Sequence, residues 1–456
     1  MSRSFPRGIV VCLVVGAFLA SVVSLAVFAQ KGDLISGGLR VPEDPKTLTI
    51  AFRRVSNGGQ ITIVKSIREN VVVKNKHDVT VTVEGKRDIS ISAKDPDESV
   101  ILFENCTGII FEGITFEGGS VGFALDASSS VILRGCTVQE NVGAGLRGGG
   151  VTLEECQVLD NGTWGIELTG TSGARLNVVD STVSGNGSGG LRMHSGAASI
   201  GASAFTGNGG FGIVVDGQAS VTFSDAAGVT TISGNAEGGV LVTDATFTLR
   251  GNARVEDNLG VGVQAEDSVL NVEDARISGH PDAALWYIRS SGSVSSSTVI
   301  DNEGVGILLQ EGSDVTVSGT TVTGQGSDGI RVVTGSSIAI ADSALSDNAL
   351  NGLYLEGTRG SVSNSSVTGN DGSGLLLESG AEADVSNTDV ASNGVDGATA
   401  DASTLTITGG TVAGNVRYGV YLFAGSRGTI QQGCVVSDNG VDGVRIESAV
   451  GALEGS

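Results

Sequence analysis

The sequence predicts an all-β solenoid, in which one short unit is stacked on copies of itself along a single elongated domain. The first observation is a recurring asparagine with a glycine four residues after it. His280 and Gln325 hold the asparagine's place in two units, and with them the step between units is 20 to 27 residues. A repeat of this length is too short for a domain and fits one supersecondary unit. The asparagines of this ladder are Asn141, Asn161, Asn186, Asn208, Asn235, Asn258, Asn302, Asn348, Asn370, Asn393, Asn415 and Asn439.

The second observation is the alternation of apolar and polar residues around each ladder position. The residue three before it is apolar, as in Val158, and so is the residue five after it, as in Ile166. The flanking runs, such as Val-Thr-Val-Ser at 315–318, alternate and are rich in β-branched residues. A period of two predicts short strands rather than helices. Pairing of each strand with its equivalent in the next unit gives parallel sheets, wound into a coil with a rise of about 4.8 Å.

The ladder is expected to lie inside the turns of this coil. A buried amide is costly unless it is hydrogen-bonded, and stacking lets each asparagine bond to its neighbours and to the turn backbone. The following glycine, such as Gly190, is expected where the backbone needs either a positive φ or a close approach. We therefore interpret the asparagines as structural rather than as glycosylation or ligand sites.

This ladder resembles the right-handed parallel β-helix repeat of pectate-lyase-like proteins and of carbohydrate-binding and sugar-hydrolase (CASH) domains. The resemblance extends from about residue 47 to the end of the sequence. It implies a right-handed parallel β-helix for this chain. For function it implies only a choice among lyases, hydrolases, epimerases, adhesins and structural spines, because the same fold carries all of them.

The sequence before the ladder divides into three segments. Residues 1–29 hold two arginines and an apolar run at 9–27, which predicts a signal peptide or an N-terminal membrane anchor. Residues 30–60 are expected to form a linker and a capping helix, residues 61–125 irregular first coils, and residues 126–456 the regular coils. Either fate of the first segment predicts a secreted, periplasmic or cell-surface protein, with membrane contact only through that segment if it is not cleaved.

A short helix is predicted ahead of the first coil, and it would cover the open strand edges there. Asp44 and Pro45 are expected to begin it, and Asn-Gly-Gly at 57–59 to end it. The residues with the spacing of one helical face are Leu48, Ala51, Phe52 and Val55. No such helix is evident at the other end, so self-association through the C-terminal edge is one expected interaction.

Charge and cysteine usage exclude several classes of function. The formal charge of −23 argues against nucleic-acid binding. Cys136, Cys156 and Cys434 share one unit position and are expected to be free, buried thiols, because parallel stacked side chains fit a disulfide poorly. No zinc spacing is present, and no motif supports a cofactor. We therefore predict no metal site, while Ca²⁺ stays open without a supporting motif.

The densest polar group lies on the strands that follow the glycines. The sixth and eighth residues after each ladder position are expected to face solvent. They place five polar residues on four consecutive coils, within about 15 Å along the axis. These residues are Arg147, Glu167, Arg192, His194 and Asp216.

Two interpretations of this polar group remain open. A polysaccharide lyase needs a base and a cation, and a glycoside hydrolase needs paired carboxylates. Arg192 or His194 is the candidate base, and Asp216 the candidate acid or cation ligand, with Arg147 and Glu167 as ligand-binding candidates. The alternative is an exposed ladder of ion pairs. No catalytic residue is assigned, since the sequence lacks the motifs of characterised β-helix enzymes.

One unit departs from the repeat, because His280 replaces the asparagine and Ala284 the glycine. Trp286 then follows in the solvent-facing column, where an exposed indole can stack on a sugar ring, and Tyr287 is expected to face inward. Tyr354 and Tyr421 lie in the same column and would extend this platform as ligand-binding residues. The alternative is simple drift of the ladder, with the histidine satisfied by its neighbours.

Three functions follow from these observations. The regular repeat, the few histidine and aromatic residues and the missing catalytic motifs favour an exported, non-catalytic scaffold that binds carbohydrate or cell-envelope partners along an exposed parallel sheet. The second is a polysaccharide lyase or glycoside hydrolase acting on an extracellular polysaccharide. The third is a surface adhesin or self-assembling structural protein.

Overall fold

The protein is a right-handed parallel β-helix of about 18 turns, which confirms the predicted fold. The structure, a computed structural model, describes residues 38–85, 88–169, 173–224 and 228–454. A regular turn of the coil contributes one strand each to three sheets, and each strand pairs in parallel with its equivalent in the next turn. The predicted signal or anchor falls in residues 1–37, outside the described residues.

The three sheets run along the axis of the coil. Sheet 1 contains Leu39–Val41, Gln60–Ile63, Thr80–Val83, Ile109–Glu112, Ser130–Arg134, Gly150–Glu154, Arg175–Val179, Ala197–Gly201, Ser220–Phe223, Thr246–Leu249, Val269–Glu273, Ser291–Ser295, Asp314–Ser318, Ser337–Ala341, Arg359–Ser363, Glu382–Ser386, Thr404–Thr408, Arg427–Gln431 and Val450–Glu454. Sheet 2 contains Ile67–Arg68, Ile89–Ser92, Ile114–Glu117, Thr137–Gln139, Gln157–Leu159, Thr182–Ser184, Ala204–Thr206, Thr231–Ser233, Arg254–Glu256, Arg276–Ser278, Thr298–Ile300, Thr321–Thr323, Ala344–Ser346, Ser366–Thr368, Asp389–Ala391, Thr411–Ala413 and Val435–Ser437. Sheet 3 contains Val71–Lys74, Ile101–Glu104, Phe123–Leu125, Leu146–Arg147, Trp164–Leu168, Gly189–Met193, Phe211–Val215, Gly238–Thr243, Val261–Glu266, Leu285–Ile288, Ile307–Gln310, Ile330–Val333, Leu353–Glu356, Leu375–Glu378, Ala398–Asp401, Tyr418–Phe423 and Asp442–Glu447.

A helix, α1 (Leu48–Arg54), packs against the first strand of sheet 3, Val71–Lys74, as the predicted capping helix should. Its apolar face is buried, and the Phe52 ring lies 6.3 Å from the Phe111 ring, centroid to centroid. Around Phe111, the rings of Phe103, Phe116 and Phe123 fill the core of the first coils. The helix therefore continues the core where sheet 3 has no earlier strand.

The start of α1 corrects one prediction. Thr47, rather than Asp44 and Pro45, caps the helix, because its side chain accepts a hydrogen bond from the Ile50 backbone N–H. The Glu69 carboxylate accepts two further N–H groups, from Leu48 and Thr49, at 2.8 and 3.1 Å. Asp44 lies too early in the chain for this role and pairs with the Arg54 guanidinium at 3.0 Å.

The ladder asparagines stack from one turn to the next. The Nδ2 of Asn235 donates to Oδ1 of Asn258 at 2.9 Å and to the backbone oxygen of Phe205 at 3.0 Å. Its backbone N–H also donates to Asn258 Oδ1, at 3.1 Å. The same direction of donation recurs along the coil, so each side chain is fixed by the turn before it and the turn after it.

Close approach of the backbone explains the glycine that follows each ladder residue. A Cβ added to Gly352 would lie 2.8 Å from the Gly374 carbonyl oxygen and 2.9 Å from the Asn370 Nδ2. Such distances are shorter than van der Waals contact, so a side chain would push the next turn away. Of the two reasons that the sequence left open, space decides here rather than a positive φ.

His280 takes the place of a ladder asparagine and is completely buried. The Nδ2 of Asn258 lies 3.2 Å from His280 Nε2, and His280 Nδ1 lies 2.9 Å from Asn302 Oδ1. An amide nitrogen can only donate, so Nε2 accepts and Nδ1 carries the proton. Burial lowers the pKa of His280, which keeps the ring neutral and the direction of the ladder unchanged.

The cysteines within the described residues are free and buried, as expected. Cys136 and Cys156 lie on adjacent turns, where the Gln157 N–H donates to the Cys136 carbonyl at 2.9 Å. Burial raises the pKa of the Cys136 thiol to about 12. These thiols fill small inward positions of the coil.

Candidate functional site

The outer face of sheet 3 carries the solvent-facing columns that the repeat predicts. Arg147 pairs with Glu167, Glu167 with Arg192, and Arg192 with Val214, each one turn further along the coil. The same column continues through Trp286 and Tyr354. The candidate residues therefore share one surface, with polar groups towards its N-terminal end and rings towards its C-terminal end.

The structure places the five polar residues in two ion-paired groups. Arg147 Nε donates to Glu167 Oε2 at 2.7 Å. On the next turns, Arg192 Nη2 lies 3.4 Å from Asp216 Oδ2, and His194 Nδ1 makes a short contact with Asp216 Oδ1. Asp216 is the better shielded partner, with 21% of its side chain exposed against 54% for His194.

This geometry distinguishes Arg192 from His194 as the candidate base. Arginine remains protonated in proteins, and here Asp216 also neutralises the Arg192 guanidinium. His194 has a ring that can accept a proton, and its contact with Asp216 orients that ring. The arrangement thus favours His194 over Arg192 as a base, while a catalytic role for this group stays a prediction.

Trp164, which was not among the residues predicted for the site, lies on the same turn as Glu167. Gly189 stands directly opposite it on the next strand, and a Cβ there would come within 2.3 Å of the indole. Phe211 and Gly238 repeat this arrangement two turns later. A large ring followed by glycine at the same position of the next unit was the available signal.

Trp286 lies in the outward column, half-buried against its neighbours. Its Nε1 donates to Gln310 Oε1 at 2.9 Å, which fixes the edge of the indole. Tyr287 points into the core, where its hydroxyl lies 3.4 Å from the Leu270 backbone oxygen. The outward and inward positions are those that the repeat predicts.

Tyr354 belongs to a network anchored by a buried carboxylate. Asp328 is fully buried and accepts a hydrogen bond from Arg331 Nε at 2.7 Å. The Arg331 guanidinium lies 5.0 Å from the centroid of the Tyr354 ring, and the Tyr354 hydroxyl donates to Glu378 Oε2 at 2.8 Å. Asp328, Arg331 and Glu378 thus hold the tyrosine in place.

A second network of this kind surrounds Tyr421. Asp396 is fully buried and accepts hydrogen bonds from Arg417 Nε at 2.9 Å and the Tyr418 N–H at 3.0 Å. The Arg417 guanidinium lies 4.9 and 5.3 Å from the ring centroids of Tyr418 and Tyr421. Tyr421 in turn stacks on Phe423, with centroids 4.7 Å apart and planes at 17°. Arg417, Tyr418, Tyr421 and Phe423 are called the ring cluster below.

Both tyrosine hydroxyls are kept as donors. Burial, aided by the Glu378 carboxylate, raises the pKa of Tyr354. The Glu447 carboxylate, which accepts from the Tyr421 hydroxyl at 2.9 Å, raises the pKa of Tyr421. Asp396 likewise raises the pKa of Arg417. The surface therefore presents hydroxyl donors, carboxylate acceptors and ring faces together at neutral pH.

The two buried carboxylates were not predicted from the sequence. Asp328 and Asp396 each stand directly before the glycine of the repeat, three residues after the ladder position. Most other turns carry a small or apolar residue there. An aspartate at a position usually held by such a residue was therefore the sequence signal for a buried carboxylate. The arginine partners, Arg331 and Arg417, lie three and 21 residues further along, and only the winding of the coil brings the second one back.

Among the described residues, no group of three or more His, Cys, Asp or Glu side chains is arranged to hold a metal ion. In that same part of the chain, no helix has both the length and the hydropathy needed to cross a membrane.

Comparison with known proteins decides the family. The family described as "Right handed beta helix region" matches residues 54–205 and 190–345, which together are well over half of the chain. The chain belongs to the right-handed β-helix family. A comparison with curated proteins gave no match.

A second family, described as "Periplasmic copper-binding protein (NosD)", is similar to residues 273–432, about a third of the chain. Copper favours imidazole, thiolate and thioether ligands. This span contains a single histidine, His280, and neither Cys nor Met. Both ring nitrogens of His280 already serve the ladder. The residues present do not fit a copper site.

Solved structures with a similar fold have low identity to this chain. The mannuronan C-5 epimerase AlgE4 A-module of Azotobacter vinelandii is 15% identical, with 85% of this chain and 88% of that chain covered and a TM-score of 0.32. The Dettilon tailspike protein is 12% identical, covering 85% and 62%, with a TM-score of 0.31. The periplasmic alginate epimerase AlgG is 13% identical, covering 76% and 77%, with a TM-score of 0.28. At these values the likeness carries no conclusion about activity.

Proposed function

We propose that this β-helix is an exported, non-catalytic scaffold that binds carbohydrate along the outer face of sheet 3. The observation that carries the proposal is the ring cluster, where Tyr418, Tyr421 and Phe423 lie together beside Arg417. Sugars offer apolar ring faces and hydroxyl edges, and this surface offers ring faces beside donors and acceptors.

The fixed geometry of the ring cluster supports a binding role. A fully buried carboxylate, Asp396, is costly unless it is paired and hydrogen-bonded. Here it accepts from Arg417, Thr399 and the Tyr418 backbone, so the guanidinium and the rings are held without a ligand. Groups that are already ordered lose little entropy on binding. These hydrogen bonds offset the free-energy cost of burying the Asp396 carboxylate. They also leave a surface that is already formed before a ligand binds.

The spacing of the rings supports an extended ligand. Trp286, Tyr354 and Tyr421 lie in one column and are separated by three turns in each case. This corresponds to about 14 Å between successive rings. A linear polysaccharide lying parallel to the axis would meet a ring at regular intervals.

Binding of a polysaccharide panel tests this function. The Tyr421→Ala variant should weaken binding about tenfold, whereas Tyr421→Phe, which keeps the ring, should retain most of the affinity. Leu308→Ala, in the same column without a ring, is the matched control. Affinity electrophoresis or calorimetry with neutral and acidic polysaccharides gives the readout. Unchanged binding by Tyr421→Ala would contradict the proposed surface.

A second candidate function is a polysaccharide lyase or glycoside hydrolase, favoured by the contact between His194 and Asp216. Its test is incubation of the protein with uronate-containing and neutral polysaccharides, with and without Ca²⁺. Unsaturated products report a lyase, and new reducing ends alone report a hydrolase. Turnover that is lost in His194→Ala and Asp216→Asn but kept in Leu308→Ala would replace the scaffold proposal.

A further inference from the structure

Charge is distributed very unevenly along the coil. Residues 38–94 hold eleven Lys and Arg against six Asp and Glu, a net charge of +5. Residues 95–456 hold 13 Arg and no Lys against 43 Asp and Glu, a net charge of −30. All seven lysines of the chain therefore precede residue 95. The average charge hides a basic end on an acidic rod.

The fold concentrates this basic segment at one end of the coil. Residues 38–94 build α1 and the first strands of all three sheets, which span about 10 Å along an axis of about 85 Å. At physiological ionic strength, charges more than about 8 Å apart are largely screened from one another. Most of the acidic rod therefore does not cancel the field at the basic end.

Several cations at this end have no partner among the described residues. Four exposed side chains make neither an ion pair nor a hydrogen bond there, and they lie on different sides of the coil: Lys46, Arg53, Lys65 and Lys94. Two of the acidic residues nearby are already engaged. Glu69 binds the N-terminal N–H groups of α1, and Glu84 pairs with Arg40 at 2.7 Å.

Exposed apolar residues lie among these cations. Ile50 on the outer side of α1 and Val72 on the first strand of sheet 3 are 36% and 38% exposed. Arg53, Lys74 and Lys76 line one pocket with Val72, and of these Lys74 also pairs with Glu104 at 2.7 Å. Basic side chains around a small apolar patch suit the interface of an anionic bilayer, where cations meet headgroups and apolar groups reach below them.

We propose that the basic end docks on an anionic membrane surface and holds the acidic rod away from it. The occupant is a layer of anionic lipid headgroups. The sequence supports this choice, because the apolar run at 9–27 precedes the basic coils. Residues 28–37 can span at most about 35 Å, so a bilayer that holds the apolar run lies within that distance of the basic end. A like-charged surface repels the rod, so end-on contact is favoured. This docking does not depend on carbohydrate binding.

The test compares two variants of the full chain with the same change in net charge. The first replaces the unpartnered cations of the basic end: Lys46→Glu, Arg53→Glu, Lys65→Glu and Lys94→Glu. The matched control replaces four exposed arginines of the rod that also lack partners among the described residues: Arg175→Glu, Arg254→Glu, Arg276→Glu and Arg427→Glu. Co-flotation with vesicles of phosphatidylcholine, with or without one quarter phosphatidylglycerol, measures binding.

The wild type should prefer the anionic vesicles, and added salt should remove the preference. The first variant should lose this preference by about 100-fold or more, while the control variant retains it. Binding to neutral vesicles accounts for any insertion of residues 9–27, and circular dichroism verifies folding of each variant.

Three outcomes would overturn the proposal. The first is a wild type without preference for anionic lipid, and the second is an equal loss in both variants, which would show an effect of total charge only. The third is retained vesicle binding by the basic-end variant together with lost binding to soluble dextran sulfate. That result would assign the basic end to a dissolved polyanion instead.

Discussion

At the residue scale, the ladder shows how a buried polar position accepts only certain replacements. His280 keeps both connections of the asparagine it replaces, because its two ring nitrogens supply one acceptor and one donor. Gln325 accepts from Asn302 at 2.9 Å, but its Nε2 turns to the Val299 and Thr323 backbone oxygens. The extra methylene of Gln325 thus interrupts the series of hydrogen bonds between side chains. The ladder continues through the Gln325 backbone N–H, which donates to Asn348 Oδ1.

His280 should make the stability of the coil depend on pH. Burial lowers its pKa in the folded state, so the unfolded chain binds the proton more readily. Stability is then complete above the unfolded pKa of about 6.5 and falls by up to about 1.4 kcal/mol per pH unit below it, until the folded ring also titrates. The His280→Asn variant should lose this dependence, as thermal melts between pH 7.5 and 5.5 would show.

Gln325→Asn is the control for this experiment. It changes the ladder at another turn without changing a titrating group, so its melting temperature should follow pH in parallel with the wild type. A His280→Asn variant that also parallels the wild type would show that the ring does not titrate on unfolding in this range.

The sequence predicted the residues of the regular repeat better than those of the candidate site. Trp286 and Tyr287 face as expected, because strand alternation fixes the direction of each side chain. Asp396 and Arg417 were missed as a pair, since 21 residues separate them and neither belongs to the repeat. The spacing within the repeat predicts which column of the coil a residue belongs to. Its hydrogen-bond partner depends on how far the side chain reaches across neighbouring turns, which the spacing does not predict.

At the scale of elements, α1 caps the N-terminal end of the hydrophobic core. Its buried face touches the first strand of sheet 3, and its Thr47 and Glu69 contacts satisfy the N–H groups at its start. The sequence predicted this helix from apolar spacing but misplaced its first residue. A proline and an aspartate resemble a helix start, and only the structure shows that Asp44 turns to Arg54.

Phe52→Ala should loosen this end of the coil. Removal of a buried phenylalanine typically costs about 3–5 kcal/mol, and here the loss falls on the turns that α1 covers. Hydrogen exchange should become faster in strands Gln60–Ile63 and Val71–Lys74 and stay unchanged near Asn235, because each turn contacts only its neighbours. Ile50→Ala, on the exposed side of α1, should change neither region. Uniformly faster exchange along the chain would contradict this local role.

At the scale of the whole molecule, the coil behaves as a one-dimensional stack. Each turn buries its core against the turns on either side, and the register is carried by ladder and sheets together. The family match and the strand order fit this description. Function is less determined by the fold, because the candidate surface rests on rings and cations that the repeat tolerates but does not require.

Deletion of one whole turn tests this architecture. Removing residues 371–393 joins Asn370 to Gly394. The new junction is again Asn-Gly, as at Asn393 and Gly394 in the full chain. The variant should fold with an unchanged β-sheet spectrum and a melting temperature within a few degrees of the wild type. Removing only 371–381 leaves half a turn, so it should reduce soluble yield and abolish the cooperative melt. Equal behaviour of the two deletions would exclude a register fixed turn by turn.

The direction of the ladder bears on how the chain reaches this state. Every linked asparagine in the described coil donates forward, from Asn141 to Asn161 and onward to Asn415 and Asn439. A finished turn therefore offers amide hydrogens to the segment that follows it in synthesis. Because the chain is synthesised from its N-terminus, α1 and the first coils can serve as a seed on which later segments wind in order, each needing only the one before it.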